Sequence, residues 1–274
     1  WLMKFLELRI ADPNLLRLIK RFLKAGVMEA GIVYDTPEGT PQGGLISPIL
    51  ANVYLHYVLD LWFEKVVKKR CQGEAYVVRY ADDFVCCFQN KRDAEWFYSN
   101  LKERLKKFNL EVAEEKTRII AFGRSAEKES KKQGKKKPDT FDFLGFTHYC
   151  SKSEKGWFRV KRKTSQKKYR SSLLKCKTWL RKHLISPADY VMEMLQIKLL
   201  GNYRYYGITD NSTALGNFYD KVRRMLFKWF NRRSQRKSMN WDKYVRFLKK
   251  NPLPRAKTYV SIYDVKPELL SYLK

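Results

Sequence analysis

Two short runs rich in β-branched and aromatic residues, Ala75–Arg79 and Phe84–Phe88, stand four residues apart, and the four between them are Tyr80, Ala81, Asp82 and Asp83. Runs of this kind on either side of a short polar stretch pair as a β-hairpin, here with acid at its tip. Neighbouring side chains of a regular strand point to opposite faces, but a tight turn relaxes that rule and lets both carboxylates approach one cation. The apolar flanks, Tyr76, Val77, Val78, Phe84 and Val85, predict a rigid and partly desolvated support. Two carboxylates crowded together repel each other unless a cation neutralises them or one takes up a proton. Magnesium suits such a pair, because it takes one or two carboxylates and completes its shell with water and phosphate. A solvated Asp-Asp turn is the plain alternative, aspartate being a common turn residue.

The hairpin is framed by helical patterns. A charged apolar pattern over Trp1–Ile10 predicts a first helix, and Asp12-Pro13 predicts a second, by N-cap and first-turn proline, running to about Ala25. Val27–Tyr34 reads as extended, and Asp35–Gly44 as turn-rich. Ser47-Pro48 is placed to cap a long helix to about Lys69, with Leu50, Val53, Tyr54, Tyr57, Val58 and Leu61 at helical spacing. Lys91–Phe108 forms an amphipathic helix, and Leu110–Val112 and Thr117–Phe122 return to extended structure. The order predicts an α+β fold, an antiparallel sheet with helices packed behind it. Gly123–Pro138 holds too little apolar surface to offset its ordering entropy and reads as a mobile loop.

Charge divides the 274-residue chain. Residues 1–150 carry 26 basic and 20 acidic side chains, net +6, and residues 151–274 carry 31 and 8, net +23. The second part also holds Trp157, Trp179, Trp229 and Trp241, so it is folded and polybasic at once, which points to a polyanion partner. Arg159, Lys161, Arg162 and Lys163 lie in a strand-like run after Trp157-Phe158. Helices fit 167–182, which opens with Lys167 and Lys168, and 188–206, 213–233 and 241–249. In the third of these, Phe218, Val222, Leu226 and Phe230 make a core stripe and leave Lys221, Arg224, Lys228 and Arg232 for phosphates. Tyr203, Tyr205 and Tyr206 have the spacing of core residues first and of base-stacking residues second. No run of about 18 apolar residues offers a membrane span, and five cysteines without a C-x-x-C pair favour a reducing, cytoplasmic setting.

Gly39-Thr40-Pro41-Gln42-Gly43-Gly44 adds a loop in which backbone can approach a bulky ligand closely. With it the chain resembles the reverse transcriptases of bacterial group II introns, the intron-encoded maturases. The resemblance rests on GTPQGGLISPILANVYL (Gly39–Leu55), YADD (Tyr80–Asp83), LEVAEEKTRI (Leu110–Ile119) and FDFLGF (Phe141–Phe146), in that order. It implies a partial reverse-transcriptase palm over 1–150 and a mainly helical basic thumb, or maturase domain, over 151–274. It also implies an RNA-directed DNA polymerase working by two-metal nucleotidyl transfer, with Mg2+ as cofactor and Mn2+ as a substitute. Its partners are then an intron RNA template, a DNA primer and dNTPs, with no membrane, and pairing of two copies is left open.

By the same resemblance Asp82 and Asp83 are metal ligands and Lys116 lies near the triphosphate. Pro41, Gln42, Gly43 and Gly44 lie against template and incoming nucleotide. Tyr80 and Ala81 sit near the primer end, and Phe143, Leu144 and Gly145 form a turn that grips the primer strand. The family's other essential aspartate belongs to a motif upstream of Trp1, as do the fingers. The chain, which opens on Trp1 rather than Met, is therefore expected to be part of a longer protein and inactive alone. Two alternatives stay open, a non-catalytic RNA-binding splicing factor and a retron, defence or CRISPR-associated reverse transcriptase.

Overall fold

A computed structural model describes residues 1–24, the strand pair 27–29 and 32–34, and residues 46–233 and 239–262. The Pro41–Gly44 loop lies outside the described residues. The chain divides into two compact units, Trp1–Ile119 and Ile120–Lys274. The boundary expected at 150/151 falls inside a strand of the second unit, because FDFLGF and the strand after it pack with the basic helices.

In the first unit, α1 (Leu2–Glu7) and α2 (Pro13–Lys24) are followed by the antiparallel strands β1 (Val27–Glu29) and β2 (Ile32–Tyr34). Asp12 caps α2 as its sequence predicts, its Oδ1 accepting the backbone N–H groups of Asn14 at 2.8 Å and Leu15 at 3.3 Å. The next helix begins at α3 (Ser47–Leu55), and its cap position falls to Ile46, so Ser47 is the first helical residue rather than the cap. Pro48 still fits there, where a missing N–H costs nothing. The helix continues through two wider π turns, His56–Asp60 and Phe63–Val67, and closes with α4 (Lys68–Arg70).

This long helix and α5 (Lys91–Lys107) cover the inner face of a hairpin made by β3 (Ala75–Tyr80) and β4 (Asp83–Phe88). Val58, Phe63, Val67, Leu101 and Leu105 are buried between them. Tyr54 donates to the Phe108 carbonyl at 2.6 Å, and Arg104 to that of Val58 at 3.0 Å, which ties the two helices end to side. The buried Asp93 carboxylate accepts from the backbone of Gln72 at 3.1 Å and Gly73 at 3.3 Å, pinning the entry to β3. Residues 109–122 form no strand. The two extended segments expected there are turns and irregular chain, such as the turn in which Thr117 bonds the Ala113 carbonyl with both N–H and hydroxyl.

In the second unit, the stretch expected as a mobile loop contains α6 (Ala126–Lys132), with Ala126 and Ser130 buried. Its acids and lysines pair along the helix, Glu127 with Lys131 at 3.4 Å and Glu129 with Lys132 at 3.7 Å, and Glu127 also reaches Lys152 at 3.5 Å. Ala, Glu and Lys are strong helix formers, and that propensity outweighs the scarcity of apolar side chains. The strands β5 (Phe141–Phe143), β6 (Phe146–Lys152) and β7 (Phe158–Thr164) make an antiparallel sheet in that order. After them, the described residues form the helices α7 (Gln166–Lys182), α8 (Ala188–Tyr206), α9 (Ser212–Arg232) and α10 (Trp241–Lys250). Their core includes Leu180, Val191, Leu195, Leu199, Tyr203, Val222, Leu226 and Tyr244. In α9 the stripe turns slightly from the expected one, with Trp229 buried and Phe230 half-buried. The whole is an α+β molecule of small antiparallel sheets and packed helices.

Candidate functional site

Along β3 the side chains alternate. Ala75, Val77 and Arg79 turn toward the helices, and Tyr76, Val78 and Tyr80 stand 55%, 60% and 66% exposed. The ladder runs to its last pair, Tyr80 opposite Asp83, so the turn is two residues long, Ala81-Asp82, rather than the four expected. Ala81 has φ 53, and Asp82 is not among the residues with positive φ, the sign pattern of a type II′ hairpin turn. Asp82 and Asp83 are both exposed. The support is a regular antiparallel ladder, and the two carboxylates at its end stand in solvent rather than partly desolvated as expected. Among the described residues no third Asp, Glu, His or Cys joins the two in a metal-binding group.

Two adjacent carboxylates on a fixed turn still match what one magnesium ion takes from protein, with water and substrate phosphate filling the rest. The residues present thus fit one cation through Asp82 and Asp83. Lys116 lies exposed in the turn after α5, and among the described residues no hydrogen bond or ion pair joins it to either aspartate.

Arg79, the last inward residue of β3, was not singled out in the sequence. Its Nε and Nη2 donate to Asp60 Oδ1 and Oδ2 at 2.7 and 2.6 Å. Its Nη1 donates to Asn52 Oδ1 and to the Ala81 carbonyl, both at 2.9 Å. The hydrogen bonds that it donates to the Asp60 carboxylate raise the guanidinium pKa above its already high ordinary value, against the cost of partial burial. The signal in the sequence was an arginine at an inward position of an alternating strand, which needs a buried partner. Nothing local says that the partner is Asp60.

Phe143, Leu144 and Gly145 belong to the second unit. Phe143 pairs with Phe146, and Leu144 and Gly145 take φ 48 and 80 in the turn between them, both positive as in a type I′ hairpin. The turn is clasped from three sides. Tyr205 donates to the Leu144 carbonyl at 3.1 Å, the Ser165 N–H to the Gly145 carbonyl at 2.9 Å, and a Cβ on Gly145 would stand 3.2 Å from the Tyr206 hydroxyl. Tyr203 and Tyr206 are buried and only Tyr205, 59% exposed, has a free face.

The basic residues sort by element. Lys161 and Lys163 share one face of β7 with Arg159, while Arg162 lies on the other face, paired across the sheet with His148. Burial and the neighbouring Arg162 charge lower the His148 pKa, and the His148 Nδ1 and Arg162 Nε are buried without partners. Arg159 reaches Asp210 at 3.3 Å, and Lys163 lies 5.5 Å from the centre of the Tyr149 ring. Lys167 and Lys168 are exposed in the first turn of α7. Lys221, Arg224, Lys228 and Arg232 form an exposed line along α9, opposite its core stripe.

Residues 2–148 match the model of the family described as reverse transcriptase (RNA-dependent DNA polymerase). The chain belongs to the reverse transcriptase family. It is similar to the group II intron-encoded protein LtrA of Lactococcus lactis subsp. cremoris, 27% identical over 302 residues that take in 79% of this chain and 47% of LtrA. It is also similar to protein YkfC of Escherichia coli K12, 35% identical over 109 residues, 31% of this chain and 29% of that protein. An uncharacterized 91 kDa protein in the cob intron of Schizosaccharomyces pombe is 44% identical over 66 residues, 24% of this chain and 8% of that protein. The chain spans less than half the length of these relatives. Its resemblance is thus to a reverse transcriptase and maturase of group II intron type.

Proposed function

We propose that the chain carries the catalytic hairpin and a nucleic-acid-holding part of an RNA-directed DNA polymerase encoded by a group II intron, with a further role in holding the intron RNA for splicing. The observation that supports it most is the two-residue turn that places Asp82 in the turn and Asp83 next to it at the start of β4, both in solvent, within the stretch that matches the family. When bound, a divalent cation, Mg2+ with Mn2+ as a substitute, would offset the negative charge that builds up during nucleotidyl transfer. Asp82 and Asp83 hold it. Tyr80, exposed beside Asp83, meets the primer end together with Ala81, and Lys116 meets the leaving pyrophosphate. The Pro41–Gly44 loop takes the template and the incoming dNTP. Residues 1–150 act as palm and 151–274 as thumb, in a bacterial cytoplasm.

The line of Lys221, Arg224, Lys228 and Arg232 is suited to a run of phosphates on an RNA–DNA duplex. Lys167 and Lys168 lie at the positive end of the α7 dipole, where their charges are unfavourable until an anion joins them. On this reading the remaining catalytic carboxylate comes from outside these 274 residues, and the chain alone does not extend a primer.

The test is extension of a DNA primer on an RNA template by a longer version of the protein that carries the upstream segment. Converting Asp82 and Asp83 to Asn together abolishes incorporation and leaves RNA affinity largely intact. Extension by that double variant would overturn the assignment of the acidic pair, and robust incorporation by the 274-residue chain would overturn the need for a third carboxylate.

A further inference from the structure

We propose that Arg79 is the positioning residue of the acidic turn, holding it in the one arrangement that presents Asp82 and Asp83 to a cation. The proposal rests on the reading of that pair as the cation site. Arg79 stands two residues before Ala81, with its side chain 13% exposed, and it spends four hydrogen bonds on three partners. Two go to Asp60 in a fork-to-fork pair, which fixes the plane of the guanidinium because its donors are rigidly arranged. A third, to Asn52, fixes its rotation about the same helix. The remaining bond then comes from a donor that cannot wander, and it falls on the Ala81 carbonyl.

That carbonyl belongs to the planar peptide joining Ala81 to Asp82, so holding its oxygen also sets the direction of the Asp82 backbone. Ala81 needs holding. Its φ of 53 is a conformation that residues with a Cβ take up at a cost, and such geometry persists where the surroundings over-determine it. The helix is wound to suit. Asn52 and Asp60 are eight residues apart, about 80° out of line on a helix of 3.6 residues per turn. The π turn His56–Asp60 carries more residues per turn and brings the two toward one face, where a single guanidinium spans both. A lysine has three donors on a single nitrogen but no planar fork, so it cannot hold the Asp60 carboxylate bidentately while reaching the other two acceptors in a fixed direction.

The experiment uses the 274-residue chain and two readouts. In the unaltered protein the backbone order parameters of Ala81 and Asp82 are those of a rigid backbone, about 0.85. Arg79→Lys lowers them below about 0.6, while Val77 and Cys86 in the ladder and the unfolding midpoint stay as they were. The Mn2+ concentration that half-broadens the Asp82 and Asp83 amide signals rises about tenfold, the worth of one hydrogen bond to a charged group. Asp60→Asn, which keeps the shape but loses the ionic fork, gives the same two changes and stands in should Arg79→Lys not fold.

Unchanged order parameters in both variants would overturn the proposal. So would a loosened turn with an unchanged manganese titration, since Arg79 would then be only structural. Should Mn2+ broaden nothing in the unaltered chain, the cation reading of Asp82 and Asp83 fails, and the order parameters still decide whether Arg79 holds the turn.

Discussion

Asn211, at the start of α9, bonds twice to Thr164 at the end of β7. Its Oδ1 accepts the Thr164 N–H at 2.8 Å, and its Nδ2 donates to the Thr164 hydroxyl at 2.8 Å. The same Nδ2 also donates to the Tyr206 carbonyl at 2.8 Å. One buried amide thus joins the sheet of the second unit to the end of α8 and the start of α9. Asn211→Leu keeps the branched outline of the side chain but removes all three bonds, leaving the Thr164 N–H, the Thr164 hydroxyl and the Tyr206 carbonyl without these partners, at a cost of about 2–4 kcal/mol. Urea unfolding followed by tryptophan fluorescence measures it as a lower midpoint with an unchanged slope.

Leu226 is fully buried in the helical core and Leu174 is 62% exposed on α7. Leu226→Ala opens a cavity and loses about 2–5 kcal/mol. Leu174→Ala stays within about 0.5 kcal/mol of the unaltered protein. The same unfolding curves compare the two directly.

Gly207 ends α8 where the chain at 257–260 comes alongside. Its carbonyl accepts from Tyr259 at 2.7 Å and Val260 at 3.0 Å. A Cβ here would strike the Tyr203 carbonyl and come within 2.8 Å of the Lys257 carbonyl and the Tyr259 ring. Gly207→Ala therefore detaches residues 257–260 from α8. Faster amide exchange at Tyr259 and Val260, with α9 unaffected, is the expected signature.

Burial raises the Cys176 thiol from its ordinary 9.0 to about 11, against a smaller opposing effect of Lys198. Burial also raises Tyr203 and Tyr244 above the ordinary tyrosine range. An acid whose folded pKa is raised keeps its proton in the folded state after the unfolded chain has lost it. Stability is thus complete below pH 9 and falls as pH climbs toward 11 and beyond. Cys176→Ala removes the thiol's share, and unfolding midpoints measured at pH 8, 9, 10 and 11 should decline less steeply than in the unaltered protein.

The line along α9 has a quantitative reading. Binding of the chain to an RNA–DNA duplex weakens with salt, each neutralised phosphate adding roughly 0.7–0.9 to the log–log slope. Changing Lys221, Arg224, Lys228 and Arg232 together to Gln reduces the slope by roughly 3 if all four meet phosphates. Fluorescence anisotropy at several salt concentrations reads it, and an unaltered slope would remove α9 from the interface.

What the amino acids disclosed in advance depended on how local each determinant was. The ends of α7, α8 and α9 came within a residue of their expected positions, because each carries an uninterrupted apolar stripe. The hairpin was legible for the same reason, since Val77 and Val85 lie in runs with no competing pattern. At α6 the reading weighed scarce apolar surface over the helix propensity of Ala126, Glu127 and Lys128, and buried Ala126 and Ser130 had no local signature. The missing strands at 110–112 and 117–122 had the right composition, but a strand also needs a partner, which composition cannot supply. For the site, the acidic tip was in plain view, whereas its exposure depends on what surrounds it. The bond from Arg79 to Asp60 spans 19 residues and two elements, and the widened winding of the helix that delivers Asp60 has no sequence rule.

That winding has an evolutionary side. Deleting a single residue between Asn52 and Asp60 would swing everything before it by about 100° around the helix axis. The arginine would then be left with one anchor of the two. The length of this segment therefore matters to the Arg79 contacts independently of which residues fill it. A one-residue gap at these positions in a related gene is expected to leave the Ala81 carbonyl without the donor that Arg79 provides here.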